Sequence, residues 1–296
     1  KFIPFYVYSI HKNYPDSDII IFYHSNLSSH LKESLKGYNQ LTIYENFYQE
    51  YKSFKNLKFR GGGGLTILRY LIPGVYFKDY DAVYFGDVDI LILEEKETLF
   101  DFHLKQANAC NLPFSNKVRT LSNGGLSNRL TGLHFVKVKP YYEKLNPIIE
   151  KFLNDKNWAL DYLKNIERDE QLLYKLNKTA FNFNPMQVAE NERPWHGFHL
   201  GVVRDGNFLN KKQISENSSL NYNEIRSQLE GFAQTKNFKT MMHKVFCPEL
   251  FFTFKYFDVN MSYSLKVKYG FTQLYRKISK KVMQKLYRKL KNGPNN

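Results

Sequence analysis

Cysteine is scarce in this chain. Cys110 and Cys247 are the only two, and they lie far apart. That excludes a disulfide framework and a zinc knuckle, and it points to a reducing compartment. Long hydrophobic runs are missing too. No stretch approaches the roughly 18 apolar residues of a membrane-spanning helix. No secretory leader pattern opens the chain, which begins at Lys1 without an initiating methionine, so a preceding segment is expected. Acidic residues stop at Asp258. The four glycines Gly61–Gly64 lack the Gly-Lys-Ser/Thr ending of a phosphate loop and the helix context of a dinucleotide fingerprint. They read as a flexible loop, with a loop covering a bound ligand as the sharper alternative.

What is present is aromatic and basic. The 296 residues include 25 Phe and 22 Tyr, enough for one large core or two small ones. The net charge of +15 is uneven. Ten basic residues between Lys266 and Lys291 supply two thirds of it, so the body is only mildly basic. The tail is therefore expected to meet something negative. Phe271, Leu274, Tyr275, Ile278, Val282, Leu286 and Leu290 form one apolar arc at helical spacing, with most basic residues opposite. Such a helix suits an anionic membrane surface. The spacing also fits a helix packed on the domain. A pI near 9.5 fits a nucleic-acid-binding protein as well, but the body carries no recognisable reading module.

Short apolar runs alternate with helical patterns. Helices are expected over 2–12, 28–35, 65–71, 141–153, 157–177 and 221–235. Strands are expected over 18–23, 41–44, 82–93 and 131–138. Residues 181–188 read as irregular or a short strand, and 245–257 are apolar without a clear period. This order predicts an α/β sheet covered on both faces. Such a sheet opens on a strand, whereas this chain opens on a helix, so a first strand is expected before Lys1.

Within the strand pattern over 82–93 sit two acids, Asp87 and Asp89. An unpaired buried carboxylate costs several kcal/mol, so two together call for a cation or donors. In an extended chain, residues i and i+2 face the same side, and a divalent cation is the simplest occupant. Further on, His199, Gly201 and Arg204 offer an imidazole, a close-approach glycine and a forked phosphate donor. Together these parts suit a metal–diphosphate. His196 beside Trp195, and Asn123-Gly124-Gly125, are weaker candidates for lining an acceptor.

With these pieces in order, the chain resembles the glycosyltransferases of family 8 and their GT-A fold. The matching segments are RYLIP (69–73), DAVYFGDVDIL (81–91), TGLHFVKVKPYY (131–142), RDEQLLYKL (168–176) and HLGVVR (199–204). The resemblance implies a Rossmann-like mixed sheet flanked by helices over 1–260 and a basic amphipathic helix over 261–296. It implies that Asp87, Asp89 and His199 hold Mn²⁺ or Mg²⁺. Arg69, Gly201 and Arg204 would meet a nucleotide-sugar donor, UDP-linked, carrying galactose or glucose. Asp169 and Gln171 would lie near the reacting sugar, with Glu170 as an alternative general base. Arg129-Leu130-Thr131-Gly132 and the Asp-Glu-Gln triplet depart from the family pattern. Retention and inversion both stay open, as does a sugar-nucleotide-binding homologue without turnover. A glycan or lipid-linked acceptor and a place on the inner face of a bacterial cell membrane follow by analogy.

Overall fold

A computed structural model describes residues 1–49, 51, 58–59, 62–192, 197–200 and 219–270. Expectations for Gly61, Trp195, His196, Gly201, Arg204 and the arc from Phe271 to Leu290 fall outside these residues.

The chain is a mixed α/β protein. Helix α1 (Ile3–Asn13) begins with Pro4 in its first turn, where the missing N–H costs nothing. Its apolar residues occupy more than one side because three groups of neighbours surround it. Phe5 and Tyr8 pack on Phe232 and Phe238. Ile3 and Val7 meet Ile19, Ile21 and Leu35. Tyr6 meets Ile90, Ile92 and Leu133. Strands β1 (Ile19–Phe22) and β2 (Leu41–Tyr44) pair in parallel around α2 (Ser29–Ser34), which Ser28 caps by accepting from the Leu31 N–H. A short ribbon, β3 (Lys58–Phe59) against β4 (Gly62–Gly63), takes up part of the glycine run. The helix expected over 65–71 is a 3₁₀ segment, Gly64–Tyr70.

Strand β5 (Ala82–Phe85) ends sooner than the apolar pattern suggests. The Ile90 N–H donates to the Asp87 carbonyl at 3.1 Å, turning the chain before β6 (Ile90–Leu91) begins. Asp87 therefore opens a turn and Asp89 lies within it, so the two do not belong to a continuous strand. Helix α3 (Leu99–Ala109) follows, capped by Thr98. Then come β7 (Phe114–Ser115) and a hairpin of β8 (Val118–Thr120) and β9 (Leu126–Leu130). Strand β10 (His134–Lys137) lies between β5 and β7 and is antiparallel to both.

Helices α4 (Val138–Asn154), α5 (Lys156–Tyr162) and α6 (Asp169–Phe181) pack around one core with the 3₁₀ segment. The helical stretch expected over 157–177 is thus broken in two at 163–168. Residues expected to be irregular contain α7 (Pro185–Ala189), for which Asn184 caps and Pro185 fixes the first turn. Strand β11 (Phe198–His199) pairs with β6. A second core gathers α8 (Tyr222–Gln234), α9 (Lys236–Lys244) and α10 (Pro248–Tyr256), the last two not anticipated from the sequence.

Two expectations need correction. Among the described residues the strands form five small sheets, mostly antiparallel, rather than one sheet covered on both faces. The body also continues past residue 260. Met261, Leu265 and Tyr269 are buried in the second core, and Tyr269 stacks on Phe251 with ring centroids 4.9 Å apart. No helix among the described residues is long and apolar enough to cross a membrane.

Candidate functional site

The turn after β5 faces the 3₁₀ segment. Ile67, Leu68 and Leu71 anchor that segment in the core, and Arg69 is carried out on its remaining side. The Arg69 guanidinium lies 4.6 Å from the centre of the Tyr70 ring. Its Nη1 donates to Asp87 Oδ1 and its Nη2 to Asp169 Oδ2, the latter at 2.8 Å. Burial works against the charge on Arg69. Tyr70, Asp87 and Asp169 outweigh that, and its pKa is raised. Arg69 Nε is buried without a hydrogen-bond partner among the described residues.

Gly132 makes the close approach possible. A methyl group there would stand 3.0 Å from Arg69 Nη2 and 3.6 Å from Asp87 Oδ2. The Tyr70 hydroxyl donates to the Gly132 carbonyl at 3.2 Å. Buried Asn116 holds the loop around this glycine. Its Nδ2 donates to the carbonyls of Thr131 and Leu133, and its Oδ1 accepts from the Thr131 N–H and hydroxyl. Sequence reasoning missed Asn116, because a lone asparagine carries no pattern.

Asp89 meets the other late segment. The β6–β11 register places His199 opposite Ile90, and the Leu200 N–H donates to the Asp89 carbonyl at 2.7 Å. His199 Nε2 then lies 3.7 Å from Asp89 Oδ1. That is too long for a hydrogen bond. His199 Nδ1 is buried without a partner among the described residues. Gly197 lets the chain enter here: its φ is +118°, and a methyl group would come within 2.3 Å of the Leu91 carbonyl oxygen. Only glycine tolerates both conditions.

The residues read as a catalytic triplet point in different directions. Asp169 opens α6, where its negative charge suits the helix N-terminus. Its Oδ2 takes Arg69 while its Oδ1 accepts the Glu170 N–H at 2.9 Å. Glu170 is nearly buried and faces the β8–β9 hairpin. Arg119 Nε donates to its Oε1 at 2.9 Å and Arg129 Nε to its Oε2 at 3.0 Å, with both Nη2 groups also engaged. Gln171 Oε1 accepts the backbone N–H groups of Glu167 and Arg168 at 2.7 and 2.9 Å. That is a helix-capping contact. The structure thus joins Arg69, Asp87 and Asp169, and separately Asp89 and His199. Glu170 and Gln171 serve neighbouring contacts.

A carboxylate beside an imidazole is a mixed oxygen and nitrogen donor set, which suits Mn²⁺ or a similar ion. Asp89 and His199 fit one edge of such a site, with the His199 orphan nitrogen on the ring's far side. Asp87 is engaged by Arg69. Among the described residues no three His, Cys, Asp or Glu side chains are grouped closely enough to hold a metal. A shallow recess between Glu94–Lys96 and the start of α8 shares no residue with this cluster.

No family model, curated protein or solved structure matches the chain. The site's own geometry is what bears on function.

Proposed function

We propose that the chain is a metal-dependent glycosyltransferase of the GT-A type. It would move a hexose from a UDP-linked donor to a sugar hydroxyl on a glycan or lipid-linked acceptor. One observation carries this reading: Arg69 joins the aspartate after β5 to the aspartate opening α6, with Asp89 beside His199 at the same turn. An acid beside an imidazole, and two further acids bridged by an arginine, suit a cation-held diphosphate facing a sugar.

Asp87, Asp89 and His199 would hold Mn²⁺ or Mg²⁺. Bound there, the ion would supply charge neutralisation for a leaving diphosphate. Arg69 offers forked donors to a phosphate or sugar hydroxyl. Arg69 also orients Asp169, which leaves that carboxylate as the group best placed to meet the acceptor hydroxyl or the reacting sugar. Gly132 keeps side-chain bulk out of the space beside Arg69. Gly201 and Arg204 would extend the site, as the sequence resemblance implies. The basic arc after residue 270 would hold the protein on the anionic inner face of a membrane.

A second reading is a sugar-nucleotide-binding homologue without turnover, favoured by the engagement of Asp87 with Arg69. Donor hydrolysis measured across nucleotide sugars with Mn²⁺ separates the two. Turnover of one UDP-sugar supports the transferase, and NMR of the released anomer decides retention or inversion. Binding without turnover of any donor, with or without acceptors, supports the second reading. Neither binding nor turnover removes both.

A further inference from the structure

Charge around α6 is divided. On the Asp87 side, two carboxylates, Asp87 and Asp169, share the guanidinium of Arg69. On the hairpin side the ratio reverses, and two guanidiniums, Arg119 and Arg129, share the single carboxylate of Glu170. Among the described residues neither arginine has a second acidic partner.

The two cations meet at the irregular part of the hairpin. Val118 pairs with Leu130, and both are fully buried. The register shifts between Val118 and Thr120, and Arg119 and Arg129, next to the buried pair, both reach the same carboxylate of Glu170. Like charges placed across a strand pair repel. Glu170 compensates one of them, and the local excess stays positive. Both arginines spend the Nε–Nη2 edge on Glu170. The Nη1 edges remain, and the side chains keep 36% and 25% of their surface open to solvent. A salt bridge serving stability alone needs one such fork. Among the described residues, the second leaves a pair of donor edges unspent on the carboxylate that follows Asp169 in the chain.

We propose that Arg119 and Arg129 form an oxyanion subsite that recognises a carboxylate or phosphate on the acceptor, close to the hydroxyl presented to Asp169. The proposal rests on the transferase reading for the word acceptor, but not for the binding itself. Glu170 is then the group that sets the strength of the subsite by neutralising half of it.

The test is a calorimetric titration of the full chain, without Mn²⁺, with a hexuronic acid, a hexose phosphate and the matching neutral hexose. An anionic sugar is expected to bind about tenfold more tightly than the neutral one. A preference for the uronic acid assigns a carboxylate, and a preference for the phosphate ester assigns a phosphate. Replacing both arginines (R119Q with R129Q) should abolish the preference. Changing both to lysine should keep part of it, since the charge stays while the fork is lost. Glu170→Gln should strengthen anion binding, the opposite of what a purely structural ion pair would give. Equal binding of all three sugars overturns the proposal. So does a folded double glutamine variant that keeps the preference. If that variant does not fold, an unchanged anion affinity in Glu170→Gln overturns it instead. Donor hydrolysis is read separately. Its absence with an arginine-dependent anion preference sinks the transferase reading and leaves the subsite standing; hydrolysis with no preference does the reverse.

Discussion

Arg69 Nη2 donates to Asp169 Oδ2 at 2.8 Å, across one hundred positions of sequence. The contact ties the 3₁₀ segment to the first residue of α6. The same guanidinium holds Asp87 at the turn after β5. One side chain therefore positions both halves of the candidate site.

Removing that arginine should loosen more than the site. Arg69→Met leaves two partly buried carboxylates facing each other without their shared donor. We expect a loss of about 2 kcal/mol in urea unfolding. Arg69→Lys should recover less than half of it, because an ammonium cannot fork between two acids. A melting curve identical to wild type for Arg69→Met would show that the bridge contributes nothing.

The two acids of the turn should behave differently. Asp87→Asn breaks the Arg69 contact and should lower both stability and Mn²⁺-dependent nucleotide binding. Asp89→Asn leaves the Arg69 bridges intact and should lower the binding at a smaller cost in stability. In wild type, a chelator should stop donor hydrolysis and added Mn²⁺ should restore it. Calorimetry with UDP and Mn²⁺ reads the affinities. Equal Mn²⁺-dependent affinity in wild type and Asp89→Asn would remove Asp89 from the metal site.

Acid should unfold the protein through its buried histidines. His103 stacks on Phe135 and bonds Ser115 Oγ at 2.9 Å, and His134 bonds Asn116 and Tyr141. Burial brings the pKa of His103 down to about 3. Burial, with His103 and Arg69 adding to it, does the same for His134. Unfolded, both return to about 6.5. The unfolded chain then binds more protons between these values. The stabilisation is complete above pH 6.5 and is lost progressively as pH falls toward 3, at up to about 1.4 kcal/mol per pH unit for each histidine. Urea midpoints across pH 4 to 7 should show this slope, and His103→Asn should reduce it. A midpoint flat between pH 4.5 and 6.5 would contradict it.

The C-terminal boundary can be located by truncation. Ending the chain after Gly270 keeps Leu265 and the stack of Tyr269 on Phe251, so the fold should survive. Ending it before Met261 removes these and should cost several kcal/mol, as loss of buried aromatic packing does. The shorter cut should release the protein from vesicles containing anionic lipid, and high salt should weaken binding of the full chain. Undiminished vesicle binding after the cut at 270 would take the membrane role away from the tail.

Much of the local structure was legible in the residues alone. Helices α1, α4 and α8 and strands β1, β2 and β10 follow from runs whose period is set by the backbone itself. The pieces of the site were legible as types: two acids near a strand, a histidine, an arginine, an acid within a helical run. Their arrangement was not. The turn at Asp87–Ile90 interrupts a run that reads as strand, because the apolar residues on its two sides are covered by different elements, β10 on one side and α1 on the other. Glu170 looked like a catalytic acid until β9 packed on α6 and brought two arginines to it. Asp89 and His199 meet through the pairing of β6 with β11, made possible by the positive φ of Gly197. Periodicity records which face of an element is buried, not which distant element buries it. Contacts across a hundred residues are decided by packing, and there the tertiary structure alone assigns each charge its partner.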